Sequence, residues 1–257
     1  MITIVIPVSR GTFLEQLFAS LEFLEVPKDT NLLTYVDSDH RLFDKVRNYT
    51  VNSKFKDRLC VFRGKGLPST SSIKRRRQRI ADVHNEMKDL IQACDYIFMI
   101  EDDTIVPGNA LSKLMQSYVS HPNAGFISGV ELGRWGYLHI GAWKVDDVYD
   151  VNEIVSTPLK STVEKVDAAG FYCCLTKKEN YIGHNFLPFE DVLGPDVDYG
   201  LTMRRNGLIN YVDNSVHCRH LMKKGEVSFE GQNIEQVQFT RDDLSKNGWT
   251  LRRVQTK

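Results

Sequence analysis

Three times in the first 120 residues, a short apolar run gives way to a segment whose apolar residues recur at helical spacing. Residues 2–8 form a β-branched run closed by Pro7, Val8 and Ser9, and Gly11 to Glu25 follows with Phe13, Leu14, Leu17, Phe18, Leu21 and Leu24 on one helical face. Leu59 to Phe62 leads, through a Gly-, Ser- and Pro-rich stretch from Gly64 to Ser72, into a basic helix spanning about Ile73 to Ala93. Tyr96 to Ile100 precedes Pro107, Gly108 and a helix from about Asn109 to Ser120. Leu32 to Val36 and Ala124 to Val130 add two more strands. Such alternation implies an α/β domain in which helices cover both faces of a mainly parallel, doubly wound sheet.

The second half is less regular. Tyr137 to Lys144, Ser161 to Asp167 and Gly170 to Thr176 read as strands joined by loops. Phe189 to Gly207 contains a helix that opens with acidic residues and closes with Arg204, Arg205, Asn206 and Gly207, an order that suits the helix dipole and a glycine stop. The expectation is one domain over residues 1–257 with a small mixed region after the sheet. Its parts are 1–107, 108–220 and a tail from 221.

Charge narrows the function classes. The 257 residues carry 33 basic and 33 acidic side chains, and a zero balance argues against a protein built mainly to grip bulk nucleic acid. Five scattered cysteines without a CxxC pair fit reduced thiols better than a disulfide framework. The N-terminus lacks a basic segment ahead of its apolar run, and no stretch reaches membrane-spanning length, so a cytoplasmic location is expected.

The chemistry concentrates where the apolar run Tyr96–Ile100 ends in Glu101, Asp102 and Asp103. Ligands of parallel α/β sheets gather at the carboxyl ends of strands. Carboxylates two residues apart on extended chain point the same way, so Glu101 and Asp103 can share one target. Three acidic groups together repel one another, and Mg2+ or Mn2+, which prefers oxygen ligands and bridges carboxylates to phosphates, would relieve that. The bland alternative is a solvated acidic turn capping the next helix.

Ile4–Pro7, Tyr35–Asp37 and Ile97–Thr104 together resemble the nucleotide-sugar half of GT-A glycosyltransferases, the broad family 2 group above all. The resemblance implies a Rossmann-like GT-A domain, its first half, to residue 107, holding a UDP- or GDP-sugar and the stretch 108–220 holding the acceptor. It makes Glu101 and Asp103 the metal-holding "DxD" pair, with glutamate in place of the commoner first aspartate, and turns Asp102 toward the donor ribose. Pro7, Val8, Ser9, Arg10 and Asp37 match the cradle of the nucleotide base.

Arg77 to Ala81 resembles the family's segment ahead of the DxD strand, whose arginine reaches the donor. Arg77 first and Arg79 second fit that role, because a guanidinium fork pairs two oxygens at once. A helix of 3.6 residues per turn cannot aim all five basic residues of this stretch at one site, and a nucleic-acid patch is the rival use.

Phe189–Gly207 resembles the family's acidic acceptor-side segment. Asp196 matches the catalytic base, which removes the acceptor proton during inverting transfer, and Asp198 lies two residues on. Pro195 stands where the family has glutamate. Glu190 and Asp191 form a second acidic pair on the acceptor side, and the bland reading of Asp196 is a helix cap. After the last strand the family carries a metal-binding histidine, a position that both His217 and His220 satisfy, with His220 favoured. Imidazole among oxygen ligands leans the choice toward Mn2+.

Trp135 and Tyr137, in a Gly-rich aromatic loop, fit stacking on an acceptor sugar. The tail around Lys223, Lys224 and Gly225 would serve as a lid. The acceptor is open: a glycan, a small molecule or modified nucleic acid. A nucleotidyltransferase would need a glycine-rich phosphate loop after the first strand, where only Gly11 is found. A non-catalytic sugar- or nucleic-acid-binding module on the same fold is the other alternative.

Overall fold

A computed structural model describes residues 1–64, 73–91, 93–132, 140–145, 151–153, 163–187 and 194–221. Trp135, Tyr137, Glu190, Asp191 and the expected lid after Leu221 lie outside the described residues.

The chain begins as the hydrophobic periodicity dictates. β1 (Ile2–Val8), α1 (Leu14–Phe23), β2 (Asn31–Val36), α2 (His40–Asn52), β3 (Arg58–Phe62), α3 (Ile73–Lys88) and β4 (Tyr96–Ile100) follow in order. Strands β3, β2, β1 and β4 lie side by side and parallel. The nearly unbroken apolar runs of β1, interrupted only by Thr3, and of β4 have a direct reason. On β4, Phe98 and Ile100 face one apolar cluster with α1, α2 and α4, while Ile97 and Met99 face the other with α3.

Helix α2 was not expected from the sequence. Asp39 caps it, accepting a hydrogen bond from the Leu42 amide at 2.8 Å. Its buried residues Leu42, Val46 and Thr50 are spaced by four, but only two of them are apolar, so the stripe is faint.

Beyond β4 come β5 (Thr104–Ile105), α4 (Ala110–Ser120), β6 (Ala124–Leu132), β7 (Ala142–Val145), β8 (Val151–Glu153), β9 (Val163–Val166) and β10 (Ala168–Ala169). β11 (Cys173–Lys177), α5 (Lys178–Gly183), α6 (Pro195–Arg205) and β12 (Ile209–His220) complete the described chain. β11 inserts antiparallel between β4 and β6, β6 and β12 are parallel, and β5 and β9 pair antiparallel with β12. The parallel arrangement thus covers the first half and the second half is mixed, with β10, β7 and β8 forming a small separate sheet. No helix among the described residues is long and apolar enough to cross a membrane.

One irregularity places the site. The register of β12 on β6 jumps between Val212 opposite Ser128 and His217 opposite Val130. The extra residues fold over Asp213, whose carboxylate accepts from the Ser215 amide at 2.9 Å and the Ser117 hydroxyl at 2.6 Å. Gly129 makes the bulge possible, because a Cβ there would stand 2.8 Å from the Val216 carbonyl. The strand then runs on until His220 lies opposite Thr104 and the Leu221 amide reaches the Asp103 carbonyl at 2.7 Å.

Candidate metal and donor site

At the carboxyl end of β4, Glu101, Asp103 and His220 each offer one ligand atom, and these atoms lie within 4.8 Å of one another. The pairing of β12 with β5 brings His220 there, with its Nε2 3.0 Å from Asp103 Oδ2. Its other ring nitrogen, Nδ1, is 2.6 Å from Glu131 Oε2 at the end of β6. A carboxylate on Nδ1 fixes the ring's orientation and directs Nε2 at the target, the arrangement that supports metal-binding histidines. Burial alone would push the His220 imidazolium down, but Asp103 and Glu131 outweigh it and raise its pKa to about 10. Glu131 went unrecognised in the sequence, although it is the only charged residue in β6.

His217 is not part of this group. Successive strand residues face opposite sides, so His217, three positions before His220, takes the other face, and its Nε2 lies 2.6 Å from the Asn214 carbonyl inside the bulge. Between the two histidines, the structure brings His220 to the acidic pair.

Asp102 lies in the turn that follows β4 and serves the neighbouring loop. It is 4% exposed, and its Oδ2 accepts from the backbone amides of Ser9 at 2.8 Å and Arg10 at 2.7 Å. Burial raises its pKa, opposed by Arg10 and those amides. Asp102 therefore shapes the loop between β1 and α1, with its carboxylate turned to the protein's own chain where a ribose contact was expected. The loop in turn carries Arg10, whose guanidinium Nη2 lies 3.2 Å from Asp102 Oδ1 and 2.5 Å from Asp103 Oδ2.

Asp37, at the end of β2, is held by two arginines. Arg63 reaches its Oδ2 at 3.2 Å, and Arg79 bonds both its carboxylate and its backbone carbonyl. Arg79 is thus committed to fixing Asp37. Arg63, not singled out from the sequence, also pairs with Glu86 at 2.9 Å and so ties the ends of β2 and β3 to α3. Pro7 and Val8 lie beside this corner, where the Asp37 amide donates to the Val8 carbonyl at 2.9 Å.

The second acidic motif divides by helix geometry. Pro195 occupies the first turn of α6, where its missing N–H costs nothing and its fixed φ starts the helix. At 100° per residue, Asp196 and Asp198 face in very different directions. Asp198 turns to His184, 3.1 Å from its Nε2, and is packed into the fold. Asp196 stays apart from that pair, flanked by Gly194 and Gly170. A Cβ on Gly194 would stand 2.3 Å from Asp196 Oδ1, and one on Gly170 would stand 3.9 Å from Oδ2. Burial raises the Asp196 pKa to about 6, with the charge of Arg77 pulling it down and that of Glu131 pushing it up. Arg77 lies on α3 and Asp196 on α6, two helices that pack against each other.

Two carboxylates and one imidazole suit a divalent cation of borderline hardness. In the structure the Arg10 guanidinium touches one of these ligands, Asp103, together with Asp102.

No protein-family model and no curated protein matches the chain. Solved structures do. GalNAc-T7 with UDP, GalNAc and Mn2+ superposes with a TM-score of 0.61 at 11% identity, over 86% of this chain and 44% of that one. The mannosyltransferase PcManGT from Pyrobaculum calidifontis, in complex with GDP-Man and Mn2+, gives 0.60 at 15% identity, over 88% and 58%. TarS of S. aureus with UDP-GlcNAc gives 0.56 at 10% identity, over 88% and 59%. The chain spans about half the length of these proteins. These three superpositions agree on one architecture: this chain has the GT-A fold of glycosyltransferases.

Proposed function

We propose that the protein is a metal-dependent glycosyltransferase that moves a sugar from a nucleoside-diphosphate sugar to an acceptor hydroxyl, with inversion. The observation that carries this reading is the convergence of Glu101, Asp103 and His220 at the lip of the sheet. Support comes from the fold, whose neighbours include proteins solved with UDP or GDP-Man and Mn2+.

Glu101, Asp103 and His220 would hold the cation, Mn2+ in preference to Mg2+ because of the imidazole. Such an ion offsets charge growing on a leaving diphosphate. Asp37, clamped by Arg63 and Arg79, marks the nucleotide end of the site, with Pro7, Val8 and Ser9 forming its wall. Residues up to 107 then hold the donor, and the segment from 108 to 220 supplies the acceptor side. Asp196 takes the proton from the attacking hydroxyl. A carboxylate whose pKa lies near 6 is still ionised at neutral pH yet more basic than an exposed aspartate, which suits a general base. Arg77 adds positive charge on the donor side of Asp196.

The test is hydrolysis or transfer with UDP- and GDP-sugars in Mn2+, measured as release of free nucleotide. Activity that needs Mn2+ and disappears in Asp103→Ala supports the reading. Nucleotide release unaffected by that substitution or by chelator refutes it. Product anomers resolved by NMR decide inversion.

A further inference from the structure

The loop after β1 delivers a positive charge into the ligand set itself. Arg10 Nη2 stands 2.5 Å from Asp103 Oδ2, the same oxygen that lies 3.0 Å from His220 Nε2. The contact is built. Asp102 clamps the backbone amides of Ser9 and Arg10, so the loop presents the side chain at a fixed place, and the Asp102 carboxylate also takes the guanidinium at 3.2 Å. Yet the Arg10 side chain is 45% exposed, so one face remains open to a ligand.

A divalent cation on Asp103 and a guanidinium held 2.5 Å from its Oδ2 repel each other and compete for that carboxylate's lone pairs, so each weakens the other's hold. Arg10 has one good destination nearby, the anionic diphosphate that the cation would bind, since a planar guanidinium pairs phosphate oxygens two at a time.

We propose that Arg10 is a positioning residue that guards the metal seat: it occupies Asp103 until a nucleoside diphosphate draws the guanidinium onto its phosphates. Metal and nucleotide then bind cooperatively, each making room for the other. This inference rests on the metal-dependent reading above and adds an order of events to it. Arg10 passes from carboxylate to phosphate and no bond other than these ion pairs is broken or made.

The consequence is measurable without turnover. Mn2+ binding, followed by the loss of the free-ion EPR signal, is compared for the wild type, Arg10→Gln, Arg10→Lys and Asp103→Ala, with and without UDP or GDP. For wild type the expected result is weak Mn2+ binding alone and at least tenfold tighter binding with nucleotide, a coupling of about 1.4 kcal/mol. Arg10→Gln frees the seat, so it binds Mn2+ alone at least tenfold more tightly than wild type, and its nucleotide-dependent gain shrinks correspondingly. Arg10→Lys keeps the charge and stays near wild type for Mn2+ alone. Thermal unfolding of each variant confirms the fold. Arg10→Gln that binds Mn2+ no more tightly than wild type, where Asp103→Ala has lost binding, overturns the guard role and leaves the metal site standing. Wild type indistinguishable from Asp103→Ala removes the metal site and the guard role with it.

Discussion

Replacing Asp196 with asparagine separates catalysis from stability, because the same burial that makes this carboxylate a base also makes it costly. Its pKa rises from the ordinary aspartate value of 3.8 to about 6 in the fold, with desolvation the largest cause. Each unit corresponds to about 1.36 kcal/mol, so holding the ionised form at neutral pH costs at most about 3 kcal/mol. The group keeps some exposure, which screens part of the penalty, and about 1–2 kcal/mol is the working figure.

The sign follows from proton counts. Between pH 3.8 and 6 the folded chain binds the proton more tightly than the unfolded chain, so this group opposes folding increasingly as pH rises and fully above about 6. Asn is never charged and escapes that penalty. Asp196→Asn should therefore unfold about 1–2 kcal/mol later at pH 7.5, roughly 2–8 °C in Tm for a chain of this size, and the gain should vanish near pH 4. The same variant should lose about 100- to 10,000-fold in kcat, the range of a general base, while wild-type kcat rises with pH through about 6. Paired thermal melts at pH 7.5 and 4 and a pH–rate profile check both halves. A variant that is less stable at pH 7.5 and still active would refute the assignment, showing Asp196 to be a helix cap.

Other predictions follow from neighbouring geometry. Glu131→Gln keeps the size but loses the carboxylate on His220 Nδ1, and Mn2+ affinity in the presence of UDP should fall about 10- to 100-fold by EPR titration, whereas unchanged affinity would deny Glu131 its role. Gly141 has a φ of +65°, and a Cβ would meet the Tyr172 ring at 2.4 Å and Glu131 Cγ at 2.8 Å. Gly141→Ala should cost at least about 1–2 kcal/mol in urea unfolding and weaken metal binding through Glu131. His84 is buried, 2.8 Å from the Tyr181 hydroxyl, and burial lowers its pKa to about 3. Only the unfolded chain gains its proton as pH falls below 6.5, so stability should drop by about 1.4 kcal/mol per unit, near 2 kcal/mol by pH 5. His84→Gln, which can still bond Tyr181, should flatten that slope in melts from pH 7 to 5, and an equal slope would place the acid sensitivity elsewhere.

What the sequence made legible was local. The strands β1 and β4 announced themselves because burial on both faces favours nearly continuous apolar runs, and the acidic end of β4 needed no tertiary contact to stand out. The helix of Asp196 was readable from its charged ends. Choosing His220 over His217 was only half readable, since the face each histidine takes depends on the bulge at Asp213, a long-range event set by Gly129 and β6. Glu131 and Arg63 were hidden for the same reason: neither lies in a motif, and each acts on a residue more than 25 positions away. Asp102 and Arg79 carry the residue types a donor site wants, but their partners, the loop amides and Asp37, come from other strands and fix what they do. Antiparallel insertion of β11 between β4 and β6 has no local signature, because a buried strand looks alike in either direction.

The most direct measurement is the location of manganese. Crystals grown or soaked with Mn2+ and UDP, with data collected at the manganese absorption edge, should show an anomalous peak within coordination distance, about 2.0–2.4 Å, of Asp103 and His220 with the nucleotide diphosphate on its far side. A map with bound UDP and no peak at those two residues, or with the peak on other side chains, would contradict the account at its root.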